Sequence, residues 1–302
     1  MAHDVVWVNG SFVDRGEARV SAFDAGFLHG VGLFETMLAT RGSTVLLDEH
    51  LRRLAESART LRLSDDLRPG PLAEAVRRTV ERSGHAEGDA RARVRLTLTG
   101  GDLNLLESRA ASATDPTVVV SVTRATPYPP EIFERGVGLL VAEPKANPLD
   151  PLAGHKTLDY WTRLRSLQQA SAAGMGEALW LQVTNHVVGG AVSNVFAVRD
   201  GTLLTPLARG EEDPGATPSP VLPGVTRAAV IDLASRIGVG CDTRLLTVAD
   251  VLDADELFLT NSSWGVLPAV RVEKSTVGSG MPGPITRRLA ELWREVETAG
   301  PG

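Results

Sequence analysis

Three prolines within four residues, Pro127, Pro129 and Pro130, interrupt the chain before its midpoint. Proline fixes φ and lacks the N–H that helices and sheets need, so closely spaced prolines favour an extended linker. Strand and helix patterns occur on both sides of this segment. The sequence therefore predicts a mixed α/β (α+β) protein with a smaller domain at residues 1–124, a linker at 125–136 and a larger domain at 137–302.

The first half opens with a β-hairpin pattern. Residues 5–8 and 11–13 favour strands and flank Asn9 and Gly10, which accept the positive φ of a two-residue turn. Apolar residues at helical spacing follow, and they predict a helix that Asp48 would cap. Further strands are predicted at residues 33–39, 44–47, 93–99 and 117–123, and a second helix at residues 71–83.

The second half repeats the mixture of strand and helix patterns, and no internal repeat or low-complexity tract is visible in the sequence. A Pro-rich loop at residues 209–223 precedes a helix that opens at Gly224. Strands are predicted at residues 138–142, 178–183, 195–198 and 256–260, and helices at residues 158–173 and 284–297.

Composition narrows the possible partners and location. The net charge of -6 and the lack of a basic cluster give no electrostatic footprint for nucleic acid, so a small-molecule substrate is predicted. No apolar run approaches membrane-spanning length, and no basic segment followed by an apolar stretch opens the chain. The single cysteine, Cys241, cannot form an internal disulfide. We expect a soluble, cytoplasmic protein without a metal site.

Lys156 lies where a loop turns into an apolar helix, a place from which an amine can point into a cleft. An isolated lysine is ordinarily a solvated surface residue. A lysine becomes a nucleophile towards an aldehyde when burial or nearby positive charge lowers its pKa, so that neutral amine is present. Lys156 is therefore a candidate nucleophile.

Two later segments resemble anion seats. Residues 222–227 read Leu-Pro-Gly-Val-Thr-Arg and lead into a helix. The amides of the first helical turn and the Thr226 hydroxyl can bind a phosphate there, and Gly224, which has no side chain, lets the phosphate approach the backbone. Residues 260–268 leave a strand with polar side chains and a glycine, a pattern that permits a second nest of amides. An ordinary helix start and a plain turn are the alternatives.

Together these segments resemble the class IV (fold-type IV) pyridoxal-phosphate enzymes, which include branched-chain and D-amino-acid aminotransferases and 4-amino-4-deoxychorismate lyase. The resemblance covers nearly the whole chain. The matching segments are residues 23–36, 48–54, 152–160, 193–196, 223–227 and 260–268.

The resemblance implies a two-domain D-amino-acid-aminotransferase-like fold with the cofactor between the domains, in a homodimer. Lys156 would hold pyridoxal 5'-phosphate as a Schiff base and then move the substrate proton. The phosphate would be bound by Arg53, whose planar donors suit it, by the segment Gly224, Val225 and Thr226, and by Ser262.

One departure from the family pattern concerns the pyridine ring of the cofactor. The family has a glutamate five residues before the asparagine of the Ser-Asn-Val-Phe segment, and this chain has Gly189 there. That carboxylate normally pairs with the protonated ring nitrogen and keeps the ring an electron sink. Its loss should impair transamination more than a reaction driven by aromatisation. The alternative is an ordinary active enzyme in which a water or a carboxylate from elsewhere compensates. Val31, where the family commonly has aspartate, is a second departure without an interpretation.

The sequence favours the lyase reaction, in which aminodeoxychorismate gives 4-aminobenzoate and pyruvate. Gly100 stands where D-amino-acid enzymes have an arginine, and residues 157–161 lack the Asn-Tyr segment of branched-chain enzymes, whereas His155 before the lysine resembles the lyases. His29 and Arg95 are candidate substrate residues, with a structural role as the alternative. Two other functions remain open: an amino-acid or amine aminotransferase, and a catalytically weak or cofactor-free relative that binds a chorismate-like anion.

Overall fold

The computed structural model describes residues 4–102 and 116–299 of the 302-residue chain. These residues form two compact units. The first comprises residues 4–102, 116–126, 155–159 and 297–299, and the second comprises residues 127–154 and 160–296. Each unit contains one β-sheet with helices. The mixed α/β class predicted from the sequence is therefore confirmed.

The first unit is built on a six-stranded antiparallel sheet in the order β2-β1-β6-β5-β3-β4. The predicted hairpin is present, with Asn9 and Gly10 at φ 43° and 95° in its turn. Its elements are β1 (Val5–Val8), β2 (Ser11–Asp14), α1 (Ala25–His29), β3 (Gly32–Thr40), β4 (Ser43–Thr44), α2 (Leu47–Thr60), α3 (Pro69–Ser83), β5 (Arg91–Thr99) and β6 (Val118–Arg124).

The core of the first unit lies between strand β3 and helices α2 and α3. Alternate residues of a strand point to one face, so Leu33, Met37 and Ala39 share the buried face of β3. Leu51 and Leu54, three residues apart on α2, pack into the same cluster. Residue 35 lies on this core face as well, and it is a glutamate.

The second unit contains a nine-stranded mixed sheet in which β12-β11-β10-β13-β14-β7-β8-β9 follow one another and β15 pairs with β14. The pairs β11–β12, β14–β7 and β7–β8 are parallel. Its elements are α4 (Pro130–Arg135), β7 (Val137–Ala146), α5 (Trp161–Ala172), β8 (Glu177–Gln182), β9 (Val187–Gly190), β10 (Asn194–Arg199), β11 (Thr202–Pro206), α6 (Val225–Arg236), β12 (Cys241–Arg244), α7 (Val248–Leu252), β13 (Glu256–Asn261), β14 (Gly265–Val272), β15 (Ser275–Thr276) and α8 (Pro284–Thr298).

The sheet of the second unit is buried on both faces at its centre. Every residue of β8 is buried, and the rings of Phe196 and Phe258 stack between β10 and β13 with centroids 4.9 Å apart. This continuous burial explains why the strands of this unit read as apolar runs rather than as alternating patterns.

Four local predictions differ from the structure. Asp48 lies in the first turn of α2, and the N-cap is Leu46 in the left-handed conformation. Strand β4 ends at Thr44, because the chain turns into α2 at Leu47. Helix α5 begins at Trp161, since residues 156–158 pair with β3 instead. The predicted linker contains α4. The predicted domain boundaries stay a prediction, and the division into compact units differs from them at residues 155–159 and 297–299.

Candidate active site

The backbone of Lys156 is held by strand β3. The N–H of Phe34 donates to the Lys156 carbonyl and the N–H of Leu158 donates to the Gly32 carbonyl, each at 2.9 Å. On the other side of the lysine, Nδ1 of His155 lies 2.9 Å from Oγ of Ser57 on α2. The candidate nucleophile therefore stands on a short extended segment that is anchored to a core strand.

The side chain of Lys156 contacts the ring of Phe34, and a second cation, Arg95, contacts the same ring. Its Nζ lies 4.3 Å from the centroid of the Phe34 ring, and the guanidinium carbon of Arg95 lies 3.4 Å from the same centroid. Nε of Arg95 donates to Oγ1 of Thr97 on the same strand. The π face attracts both cations. Of the two candidate substrate residues, Arg95 is thus brought close to Lys156, whereas His29 lies exposed at the end of α1.

Beside them, three charged or titratable side chains form a buried cluster of Glu35, His50 and Arg53. Their exposed fractions are 1%, 2% and 9%. Arg53 donates from Nε to Oε1 of Glu35 at 2.9 Å and from Nη2 to Oε2 at 2.5 Å. Nδ1 of His50 lies 2.7 Å from Oε2. Both oxygens of the carboxylate are therefore engaged, and Arg53 is paired in the fork geometry that favours carboxylates.

The protonation of this cluster follows from its burial and charges. Burial by itself raises the pKa of Glu35, but Arg53 and His50 outweigh it and lower that pKa to about 2. Burial lowers the pKa of His50; the hydrogen bond and the charge of Glu35 oppose this, but the positive charges of Arg53 and Lys156 add to the effect of burial and the pKa stays lowered. We assign an ionised Glu35 and a neutral His50 that donates from Nδ1.

The sequence assigned no role to Glu35 or His50. A signal was present: strand alternation places Glu35 on the same face as Leu33 and Met37, and a carboxylate on a core face needs a buried partner. His50 and Arg53, three residues apart, lie on one face of α2. The pattern alone did not show that α2 packs on β3 at Glu35.

The second unit contains the other predicted binding residues. Gly224 is the N-cap of α6 and offers no side chain to cap its first turn, which begins with Val225 and Thr226. Oγ1 of Thr226, which is buried, lies 3.4 Å from Oγ of Ser262. The amides of this turn and the two hydroxyls form an anion seat of the kind expected at a helix N-terminus.

A contact with Asn194 determines the residue at position 224. Nδ2 of Asn194 donates to the Leu222 carbonyl at 2.9 Å. A Cβ added to Gly224 would clash with Oδ1 of Asn194. The neighbouring Arg227 is buried and paired with Glu211 at 2.6 Å, so its charge is balanced within the protein. The seat therefore depends on glycine for its close approach and on backbone amides for its donors.

Gly189, which replaces the family's glutamate, has a backbone that suits glycine. Its φ is +147°, a value that other residues rarely adopt, and a Cβ there would lie 2.8 Å from the Ser193 carbonyl oxygen. The nearby carboxylate of Glu177 already accepts hydrogen bonds from the amides of residues 178, 191 and 192 and from Oγ of Ser193. These four bonds occupy both oxygens of Glu177, so that it cannot take the place of the missing side chain.

Two other side chains near Gly189 in this unit are hydrogen-bond donors. Trp180 stands directly across from Gly189 in the pairing of β8 with β9. Its indole N–H is buried and has no hydrogen-bond partner in the part of the chain that the structure describes. The guanidinium of Arg163 lies 4.8 Å from the Trp180 ring and donates to the Gly190 carbonyl at 3.2 Å.

Comparison with known proteins identifies the family. Residues 32–272 match the family model described as amino-transferase class IV. The chain belongs to the class IV aminotransferases. A putative branched-chain-amino-acid aminotransferase of Methanocaldococcus jannaschii is 32% identical over 97% of this chain and 96% of its own length.

Solved structures of class IV enzymes resemble the whole chain. The branched-chain amino acid aminotransferase of Escherichia coli has a TM-score of 0.86 at 26% identity and covers 98% of this chain and 95% of its own. The 4-amino-4-deoxychorismate lyase of Pseudomonas aeruginosa has a TM-score of 0.80 at 31% identity, with coverages of 96% and 98%. The D-amino-acid-aminotransferase-like fold predicted from the sequence is therefore confirmed.

The cofactor of this class IV enzyme is pyridoxal phosphate, as predicted. A branched-chain amino acid aminotransferase from T.th. that was solved with pyridoxamine 5'-phosphate has a TM-score of 0.85 at 26% identity and covers 97% of this chain and 93% of its own. Taken unit by unit, the residues have the chemistry that such a group needs: Lys156 in the first unit provides an amine for an aldehyde, and the glycine-lined seat at α6 in the second unit provides donors for a phosphate. The surroundings of Gly189 do not offer the carboxylate that the ring nitrogen usually meets.

Metal-binding and membrane-spanning features are both lacking in the described residues. Within residues 4–102 and 116–299, no group of three or more His, Cys, Asp or Glu side chains is arranged to hold a metal ion. In the same ranges, no helix has the length and apolar character needed to cross a membrane.

Proposed function

We propose that this class IV enzyme is an aminotransferase that moves an amino group between a carboxylate-bearing amine and a 2-oxo acid. The sequence alone favours the lyase, but the similarity to branched-chain aminotransferases over nearly the whole chain supports the aminotransferase better. The observation that carries the proposal is that the Lys156 amine and the Arg95 guanidinium contact the same Phe34 ring.

In this proposal Lys156 would hold the cofactor through Nζ and, once its amine is released, would take up and give back the proton of the substrate carbon that carries the amine. Pyridoxal phosphate, when bound, withdraws electrons from the carbon that carries the amine. Arg95 binds and orients the substrate carboxylate through its planar donors. Phe34 excludes water from the amine and limits its movement. His29 stays a weaker candidate for substrate contact, since it lies at the exposed end of α1.

We propose phosphate-binding roles for residues in each unit, as the family resemblance implies. One set of donors is Arg53 in the first unit. The other, in the second unit, comprises the amides of Val225 and Thr226, the Thr226 hydroxyl and Ser262, with Gly224 allowing the close approach. The 3.4 Å separation of the two hydroxyls supports a shared anion for the second set.

A second candidate function is the aminodeoxychorismate lyase reaction. Gly189 favours it, because the nearby Glu177 carboxylate already accepts four hydrogen bonds and Trp180 and Arg163 are donors, so these residues do not support a protonated ring nitrogen. A reaction that is driven by aromatisation of its product depends less on a strong electron sink. The similarity to the lyase of Pseudomonas aeruginosa is consistent with this candidate.

One experiment separates the two candidates. The protein loaded with pyridoxal phosphate is incubated either with single L-amino acids, branched-chain ones included, or with aminodeoxychorismate, and the cofactor and products are then quantified. An aminotransferase converts the cofactor to pyridoxamine 5'-phosphate with an amino acid alone. A lyase forms 4-aminobenzoate and pyruvate in equal amounts and leaves the cofactor as the aldehyde. Neither product with any substrate of these two types would contradict both candidates.

We also propose that the protein is a homodimer with a cytoplasmic location and that its domains have the boundaries predicted from the sequence. Four apolar residues are exposed, and this is consistent with burial against a second copy: Phe23 just before α1, Phe27 within α1, Leu149 in the loop after β7, and Trp161 at the start of α5. Light scattering coupled to size-exclusion chromatography should give twice the 32.1 kDa chain mass. A monomer at micromolar concentration would contradict the dimer.

A further inference from the structure

We propose that Glu35 is a positioning residue that orients Arg53 for the phosphate of the cofactor, with neutral His50 holding the carboxylate in place. This inference rests on the phosphate role proposed for Arg53. It adds a residue that does not itself bind the cofactor and that determines how well the arginine does.

The pairing geometry defines the direction of the guanidinium. Arg53 uses Nε and Nη2 on Glu35, and these atoms form one edge of a planar group. Because the group is planar, its Nη1 side then points away from Glu35. Two simultaneous hydrogen bonds exclude rotation about the last bond of the side chain. An arginine held in this way loses less conformational entropy when it binds an anion.

The carboxylate is itself fixed by its surroundings. Glu35 lies in the middle of β3, whose neighbour β5 pairs with it from Gly32 to Thr40. His50 donates from Nδ1 to Oε2, which leaves little freedom at the second oxygen. Burial, Arg53 and Lys156 together lower the pKa of His50 by more than Glu35 raises it, so His50 stays neutral and does not compete with Arg53 as a counter-ion. Glu35 and Arg53 thus form a charge-balanced pair that supplies direction to the arginine.

Strand β3 links this pair to the nucleophile. Phe34 holds the backbone and the amine of Lys156, and the next residue, Glu35, holds Arg53. Consecutive residues of one strand therefore set the positions of the amine and the guanidinium relative to each other. A ligand that carries an aldehyde and a phosphate must meet both groups, whereas an aldehyde without phosphate needs only the first.

The test compares two aldehydes on the same apoprotein. The two ligands are pyridoxal phosphate and pyridoxal, which lacks the phosphate, and their binding is followed by visible absorption. They are titrated into wild type, Glu35→Gln, Arg53→Gln and a control. The control is Glu74→Gln, which alters an exposed carboxylate on α3. Glu35→Gln is expected to weaken the binding of pyridoxal phosphate about tenfold or more, equivalent to about 1.4 kcal/mol. The binding of pyridoxal is expected to weaken less than twofold. The ³¹P resonance of the bound cofactor should shift in Glu35→Gln and in Arg53→Gln.

The outcomes are distinguishable. Equal weakening of both aldehydes in Glu35→Gln, or an unchanged affinity for pyridoxal phosphate, would overturn the inference. If Arg53→Gln leaves the preference for the phosphorylated aldehyde intact, the proposed phosphate role of Arg53 itself fails. If Glu35→Gln does not fold, Glu35→Asp carries the test: it keeps the charge but withdraws the carboxylate by one methylene, so the same loss of phosphate preference is expected, and its absence would overturn the inference.

Discussion

The N–H of Phe34 donates a 2.9 Å hydrogen bond to the Lys156 carbonyl, and the ring of the same phenylalanine lies 4.3 Å from Nζ of that lysine. One residue of a core strand thus holds both the backbone and the amine of the candidate nucleophile. The Arg95 guanidinium contacts the same ring. The positions of the two cations are therefore coupled through Phe34.

Replacing Phe34 with leucine should separate these contributions. Phe34→Leu retains the backbone hydrogen bond and an apolar side chain but removes the π face, whose attraction for a cation is worth about 0.5–2 kcal/mol. We expect kcat/KM to fall by about two- to thirtyfold, with an unchanged circular dichroism spectrum. The matched control is Phe12→Leu in β2, which removes a ring whose centroid lies 3.9 Å from the guanidinium carbon of Arg82 on α3. Equal activities of the two variants would show that the Phe34 ring has no positioning role.

The Glu35–Arg53 pair predicts a loss of stability in acid. The pKa of Glu35 in the fold is about 2, below its ordinary value of 4.5, so the stabilisation is present above pH 4.5 and is lost as the pH falls towards 2. Between pH 5 and pH 3 the free energy of unfolding should fall by about 2 kcal/mol through this group. Urea unfolding at the two pH values should show this loss in wild type and in Glu74→Gln. An equal loss in Glu35→Gln would contradict the assignment.

The anion seat at α6 predicts that Gly224→Ala loses cofactor affinity. The new Cβ would clash with Oδ1 of Asn194, so the turn must move away from its present position. We expect the Kd for pyridoxal phosphate to rise about tenfold or more, and the affinity for pyridoxal to change little. In the control Gly240→Ala the nearest atom to the new Cβ is 3.9 Å away. An unaltered Kd in Gly224→Ala would exclude this turn as the phosphate seat.

Restoring the glutamate at position 189 should not restore the family's ring-nitrogen partner. At φ +147°, with the Ser193 oxygen 2.8 Å from the new Cβ, Gly189→Glu is expected to reduce the free energy of unfolding by about 1–3 kcal/mol. The control Gly240→Glu adds the same charge at an exposed position, where the nearest atom to the new Cβ is 3.9 Å away. It should lower the free energy of unfolding much less. A Gly189→Glu variant as stable as wild type and faster in amino transfer would show that β9 readily accepts the carboxylate.

The sequence predicted the parts of the site that depend on local pattern. Gly224 before an amphipathic helix indicates a helix start wherever the chain folds, and the structure contains that start. Lys156 stood out because its neighbours resemble a family segment. The extended backbone around it was not predicted, because the apolar residues after Lys156 suit a helix and the pairing with β3 is a contact between residues that are far apart in the chain, Leu33 and Thr157.

The Glu35 cluster and the surroundings of Gly189 could not be read from local pattern. The role of Glu35 depends on which helix covers β3, and the donors beside Gly189 depend on the pairing of β8 with β9 and on the packing of α5. Such contacts are properties of tertiary structure. The sequence showed only that a carboxylate was missing at position 189, and the structure adds that the backbone there suits glycine.

The central claim, that Lys156 is the residue that binds the cofactor covalently, has a direct test because the chain contains three lysines. The loaded protein is reduced with borohydride, digested and mapped by mass spectrometry. We predict the pyridoxyl-phosphate label on Lys156 alone, its loss in Lys156→Ala, and its retention in Lys145→Ala and Lys274→Ala, which alter exposed lysines. A label on Lys145 or Lys274, or an unlabelled wild-type protein after loading, would contradict the account.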